Sequence, residues 1–119
     1  METAERRFTR EDVRAFTDVS GDRGDHHLEP DEEGRLLVHG LLTATLATEI
    51  GGRFTVLART MEYEFCRPVY TGQWIRCTAE FTTVADREDG RTEVEAELTF
   101  ERVATGSVVM TGRWDGVVA

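Results

Sequence analysis

Residues 20–27 read SGDRGDHH and place a carboxylate, Asp22, five positions before an imidazole, His27. A carboxylate and an imidazole on one loop, loosened by Gly21 and Gly24, can grip a water molecule, with one group taking its proton and later returning it. Taken alone, the same stretch also reads as solvated acidic surface, so its neighbours must decide. His26, His27, Glu29, Asp31, Glu32 and Glu33 crowd into the same region. No spacing among them fixes a ligand geometry, and no metal is expected. All 14 basic residues are arginine, which excludes Schiff-base chemistry and a Walker-type phosphate loop, since both need lysine. Cys66 and Cys77 form no CxxC pair and are expected to be reduced, half-buried strand residues.

The bulk numbers bound the setting. A chain of 119 residues makes one domain, 1–119, large enough for a real core. Hydrophobic content of 39% against 31% charged describes a globular chain and not a disordered one. No apolar run approaches the roughly 20 residues of a membrane span, and the N-terminal METAERRFTRED shows no apolar signal segment; a cytoplasmic location is expected. A net charge of −9 repels nucleic acid and anionic lipid, so neither is an expected partner. Lysine and asparagine are both absent. A GC-rich genome accounts for that, and so does adaptation to high salt, where a dense carboxylate surface stays hydrated.

The elements that must position Asp22 and His27 come next. Thr9 followed by Asp12 is a variant capping box, and Val13, Phe16 and Val19 recur at helical spacing, which predicts a helix over about residues 10–19. Gly21 is its natural stop. Residues 20–35 read as an acidic loop. From Val38, VHGLLTATLATEIGG is apolar or small on nearly every side, the mark of a helix enclosed by other structure. Four long β-type segments follow. FTVLARTMEYEFCRPVY is bounded by Thr71-Gly72, and WIRCTAEFTTVA runs toward a hairpin at Asp89-Gly90. RTEVEAELTFERV sets Val94, Ala96, Leu98 and Phe100 on one face and Glu93, Glu95, Glu97, Thr99 and Glu101 on the other, a strand with one wet side. SVVMTGRWDGVV closes the set, and Trp74 and Trp114 read as core or interface aromatics. The pattern predicts an α+β domain with a buried helix on a curled antiparallel sheet.

The ordered motifs resemble the MaoC-like (R)-specific enoyl-CoA hydratases. Phe8-Thr9-Arg10-Glu11-Asp12-Val13-Arg14-Ala15-Phe16 is similar to that family's F-T-x-E-D-V-x-x-F. Ser20, Gly21, Asp22 and His27 match its S-G-D-x-N-P-x-H, with Gly24-Asp25 where the family has Asn-Pro. Val38-His39-Gly40-Leu41-Leu42-Thr43-Ala44-Thr45-Leu46 matches V-H-G-M-L-x-A-S-L. Phe65, Pro68, Val69 and Gly72 match F-x-x-P-V-x-x-G-D, with Gln73 in the last place. The resemblance runs through nearly the whole chain, although the stretch from His27 to His39 is shorter than the family's.

The resemblance implies a hot-dog fold, a curled antiparallel sheet wrapped around one long apolar central helix. It implies hydration of 2-enoyl thioesters, or the reverse dehydration, with Asp22 and His27 as the catalytic dyad. The Gly40 N–H at the helix start would meet the enolate oxygen, and Thr48, eight residues on, would line the site and orient the dyad. Glycine at position 40 also reads as close helix–sheet packing, and His39 as a residue that caps or packs at the helix start. No cofactor is implied, because the CoA or acyl-carrier thioester is the substrate. A homodimer is implied, and Arg35, Arg53 and Arg67 are the arginines considered for CoA phosphates.

Two other functions compete. In a thioesterase branch of the fold a carboxylate follows the HG histidine by nine residues; that position here is Thr48, with Glu49 turned about 100° away around the helix. The other rival is a non-catalytic acyl-thioester-binding module or partner subunit, against which the intact Asp22 and His27 argue.

Overall fold

The computed structural model describes residues 1–118. Its elements run β1 (Glu2–Arg7), α1 (Arg10–Ser20), α2 (Asp25–Leu28), α3 (Gly40–Arg53), β2 (Val56–Phe65), β3 (Trp74–Asp86), β4 (Thr92–Arg102) and β5 (Val108–Val118). The five strands form one antiparallel sheet in the order β1-β3-β4-β5-β2. This is the α+β arrangement expected, with one strand more. The Glu2–Arg7 strand escapes the pattern because only Ala4 in it is buried; it is held by pairing with Trp74–Ala79 and not by an apolar face of its own.

β4 is the middle strand, and its alternation decides the two faces of the sheet. Val94, Ala96, Leu98 and Phe100 are buried with Ile75, Cys77 and Trp114 in the core. On the opposite face Glu93, Glu95 and Glu101 meet Arg87, Arg113 and Arg76. Such exposed pairs add little stability each, but they keep the charged side solvated.

α3 packs on the inner face against β1, β2 and β3. It buries Leu42, Thr43, Ala44, Leu46, Ala47 and Ile50. The expectation of a helix enclosed on all sides needs correction: Leu41 is 61% exposed, and Thr48 and Glu49 face outward. One five-stranded sheet covers only one side of a 14-residue helix.

α1 begins as predicted. Thr9 Oγ1 accepts from the Asp12 N–H at 3.1 Å and Asp12 Oδ2 accepts from the Thr9 N–H at 2.9 Å, a reciprocal cap. Its buried face differs from the predicted one. Val13 and Thr17 are buried, whereas Val19 is 87% exposed. The cysteines also depart from expectation, Cys66 lying exposed beyond the end of β2 and Cys77 wholly buried in β3. Trp114 is core and Trp74 is exposed beside Arg7.

Candidate active site

The site is built at the end of α1. Gly21 adopts φ 76°, the left-handed conformation that glycine enters without strain, and its N–H closes the helix on Thr17 O. The chain then turns through Asp22, whose N–H donates to Ser20 Oγ at 3.1 Å and whose Oδ1 accepts from the Gly24 N–H at 3.2 Å. That local turn fixes one carboxylate oxygen and leaves Oδ2 free to face His27. The Gly24 N–H, aided by the nearby imidazoles, holds the Asp22 carboxyl below the usual carboxylate range.

His27 lies on the single turn α2, within the stretch expected to be loop. Its ring is buried, while His26 and Asp25 face solvent as expected. The Leu37 carbonyl lies 2.7 Å from His27 Nδ1, and because a carbonyl only accepts, Nδ1 carries the proton in the neutral ring. The Leu37 N–H donates in turn to His26 O at 3.0 Å. His27 Nε2 therefore presents its lone pair, 3.5 Å from Asp22 Oδ2. Two acceptors at that distance cannot bond each other; what they can share is a proton or a donor molecule such as water.

His39, immediately before α3, completes the cluster. Its ring stacks on His27 with centroids 3.7 Å apart and planes 17° from parallel, and it also contacts Phe16. Its Nε2 is 3.3 Å from both Thr17 Oγ1 and the Asp22 carbonyl. Burial pushes the His39 pKa below its ordinary value, so the ring is neutral near pH 7. His39 stands at the N-cap position of α3 but makes no side-chain cap bond; of the two expected roles, capping or packing, it takes packing. The first-turn amides of α3, Gly40 among them, are left without a side-chain acceptor at the positive end of the helix.

Asp22, His27 and His39 bring their ligand-capable atoms within 4.8 Å of one another, so a metal must be considered. Imidazole binds a metal in the plane of its ring at about 2.0–2.1 Å, and two stacked rings have nearly parallel planes that cannot both contain one ion. Moreover, carbonyls already face His27 Nδ1 and His39 Nε2. The donor set does not fit a metal centre.

A cavity of about 410 Å³ opens between α1 and α3 and is lined by Ser20, Asp22, His39, Gly40, Leu41 and Phe65. Gly40 is the first residue of α3, and a Cβ there would run into the Phe65 ring. The close-packing reading of Gly40 is thus realised through Phe65, a contact from β2 that spacing could not reveal. Thr48 is not brought to the site. It sits eight residues along α3, about 12 Å at 1.5 Å per residue, and lines a separate recess with Val56, Met61 and Trp114. The expectation that it orients the dyad is corrected by that placement, since its recess shares no residue with the cavity at Asp22. Sequence reasoning missed Thr17, Leu37 and Phe65 as parts of the site; of these only Phe65 lay in a motif already noted.

No family model matches the sequence, and no curated protein does either. Solved structures do. The unliganded R-hydratase PhaJ1 from Pseudomonas aeruginosa superposes with a TM-score of 0.80 at 22% identity, over 99% of this chain and 79% of that one. An (R)-hydratase from A. caviae involved in PHA biosynthesis gives 0.79 at 26% identity, over 98% and 91%. A MaoC-like dehydratase from Rhodospirillum rubrum gives 0.75 at 18%, over 98% and 87%. The fold is therefore the hot-dog fold, shared with these (R)-hydratases and the MaoC-like dehydratase. No helix among the described residues is long and apolar enough to cross a membrane. A fold hosts several chemistries, so activity must be argued from the site.

Proposed function

We propose that this protein adds water to 2-enoyl thioesters, or removes it from 3-hydroxyacyl thioesters, through Asp22 and His27. The observation that carries this reading is His27 Nε2 facing Asp22 Oδ2 at 3.5 Å while Nδ1 is turned to the Leu37 carbonyl, beside the uncapped amino end of α3. A water held by both acceptors is poised for general-base attack. As its oxygen bonds Cβ, its proton passes to His27 Nε2, and the imidazolium is stabilised by Asp22. The electron pair of the double bond moves onto the thioester oxygen, where the Gly40 N–H meets the charge. The proton on the dyad then returns to Cα, and both residues end as they began. The (R) configuration is carried over from the likeness to (R)-hydratases. The step consumes only water and needs no cofactor.

Several features support the rest of the proposal. Of the three arginines considered for CoA phosphates, Arg35 is held by Asp31 and Glu33, and Arg53 by Glu2 and Glu49. Arg67 instead bonds the Val108 carbonyl and lines a cavity that also reaches Gly40, so it is the arginine assigned to a CoA phosphate. Leu57 and Met61 are exposed along β2, an edge strand. An apolar unpaired edge invites a second strand, which supports a homodimer. We place the activity in the cytoplasm, on CoA or acyl-carrier thioesters of fatty acid metabolism, and read the carboxylate-rich surface as suited to high salt.

The thioesterase alternative is disfavoured, since Glu49 is exposed and paired with Arg53 at 3.1 Å, far along α3 from Gly40. Purified protein mixed with crotonyl-CoA, at low and at multimolar KCl, tests all the readings together. Falling enoyl absorbance without free thiol is expected, retained or raised in KCl. Released thiol would mean a thioesterase, and neither signal would leave a binding module.

A further inference from the structure

Phe65 ends β2, and its ring lies over Gly40. Two cavities meet there, and both are walled by Phe65 and Gly40. On one side is the cavity of about 410 Å³ holding Asp22, Ser20 and His39. On the other is a chamber of about 300 Å³, its buried wall formed by Val38, Thr43, Val69, Val109 and Met110, all apolar but one, and its exposed rim by Cys66, Arg67 and Pro68. The first has the polar groups that a thioester head requires. The buried wall of the second offers what an alkyl tail requires, with Arg67 standing outside it at the rim. A short acyl group fits beside Asp22 without leaving the first cavity, whereas a longer one must pass the Phe65 ring to reach the second.

We propose that Phe65 is the specificity-determining residue of this site, its ring partitioning the polar cavity at Asp22 from the apolar chamber and confining the protein to short acyl chains. The inference rests on the proposed thioester site but not on its chemistry. Phe65 lies outside the buried core, the residue being 57% exposed, so shortening it removes the wall without emptying the core.

The test is equilibrium binding of two unreactive thioethers, S-butyl-CoA and S-octyl-CoA, to the wild type, Phe65→Ala and Phe65→Leu. Thermal melts establish that each variant is folded. Phe65→Ala is expected to improve the octyl-to-butyl affinity ratio by about tenfold, well within what burial of four further methylenes supplies. Phe65→Leu should fall between Phe65→Ala and the wild type and stands in if Phe65→Ala does not fold. An unchanged ratio in the folded variants, or failure of every form to bind either thioether, overturns the proposal. A wild type that binds S-butyl-CoA yet leaves crotonyl-CoA untouched would defeat the hydratase reading alone, and the ratio would still decide the role of Phe65.

Discussion

The rings of His27 and His39 are stacked, 3.7 Å between centroids and 17° from parallel, and the same His39 ring reaches the Asp22 carbonyl through Nε2 at 3.3 Å. One buried side chain therefore backs the imidazole of the proposed dyad and anchors the backbone that carries its carboxylate. Such support sets the geometry of groups it never replaces in the reaction, and misplacement by about 1 Å can cost 10²-fold in rate. His39→Ala is expected to lower kcat for crotonyl-CoA hydration by about ten- to a hundredfold with KM little changed. His39→Phe keeps an aromatic face but loses the N–H, and should recover part of kcat. Equal rates in all three proteins would show that the stack positions nothing.

The same residue predicts a pH dependence of stability. Burial lowers the His39 pKa from its ordinary 6.5, with Asp22 favouring the charged form and His27 and His26 opposing it. Below about pH 6.5 the unfolded chain takes up a proton that the folded protein refuses, so the folded state binds fewer protons and stability rises with pH. The thermal midpoint should fall as the pH drops from 7.5 to 5.5, by about a few degrees. In His39→Phe, which has no proton to take up there, the fall should be smaller. A pH slope identical in the two proteins would count against a neutral buried His39.

The dyad itself is tested most cleanly at Asp22, whose side chain is 55% exposed. In Asp22→Asn the side-chain oxygen can still accept from Gly24, so stability should move by no more than about 0.5 kcal/mol. Hydration should fall by about 10²–10⁴-fold, the usual worth of a positioned acid–base group. His27→Ala should lose as much activity and also some stability, about 1–3 kcal/mol, because the Leu37 carbonyl loses its ring N–H partner. Steady-state rates with chemical denaturation separate the two effects. Either variant keeping most of the wild-type rate would refute the assigned roles.

Arg67 separates carrier recognition from chemistry. It has a carbonyl partner, Val108 O, and no carboxylate within ion-pair distance among the described residues, in a chain of net charge −9. Arg67→Gln should raise KM for crotonyl-CoA about five- to tenfold, the worth of one charge-assisted contact, with kcat preserved. The N-acetylcysteamine thioester, which has no phosphate, should be indifferent to the change. Equal effects on both substrates would remove Arg67 from phosphate recognition.

What the sequence made legible follows from how local each feature is. The β4 alternation from Val94 to Phe100, the Thr9–Asp12 cap and the Gly21 stop are set by residues a few positions apart, and all are where spacing put them. The Glu2–Arg7 strand was illegible because its stability comes from β3, more than 60 residues away in the chain. α2 is one turn of four residues, too short to carry a period. In the site, Asp22 and His27 could be nominated from their spacing, whereas the Phe65 ring over Gly40 joins two elements 25 positions apart. Thr48 is kept from the dyad by the roughly two turns of α3 between it and Gly40, and it lines a recess with Val56, Met61 and Trp114 instead.

Gly40 is where the two remaining explanations of a residue can be told apart. A methyl group there would meet the Phe65 ring, but the ring is more than half exposed and can swing aside. Alanine also gains about 0.5–1 kcal/mol over glycine within a helix, so Gly40→Ala should change the melting temperature little. Its effect on hydration should be large, about 10²-fold, if the thioester oxygen must approach the amide at position 40 closely. The variant Gly40→Ala combined with Phe65→Leu relieves the ring contact while keeping the methyl beside the amide. If glycine serves only the packing of Phe65, the double variant regains the rate of Phe65→Leu. If glycine serves the approach of the thioester, the double variant stays as slow as Gly40→Ala, and that is the outcome expected from an uncapped helix end facing the Asp22 cavity.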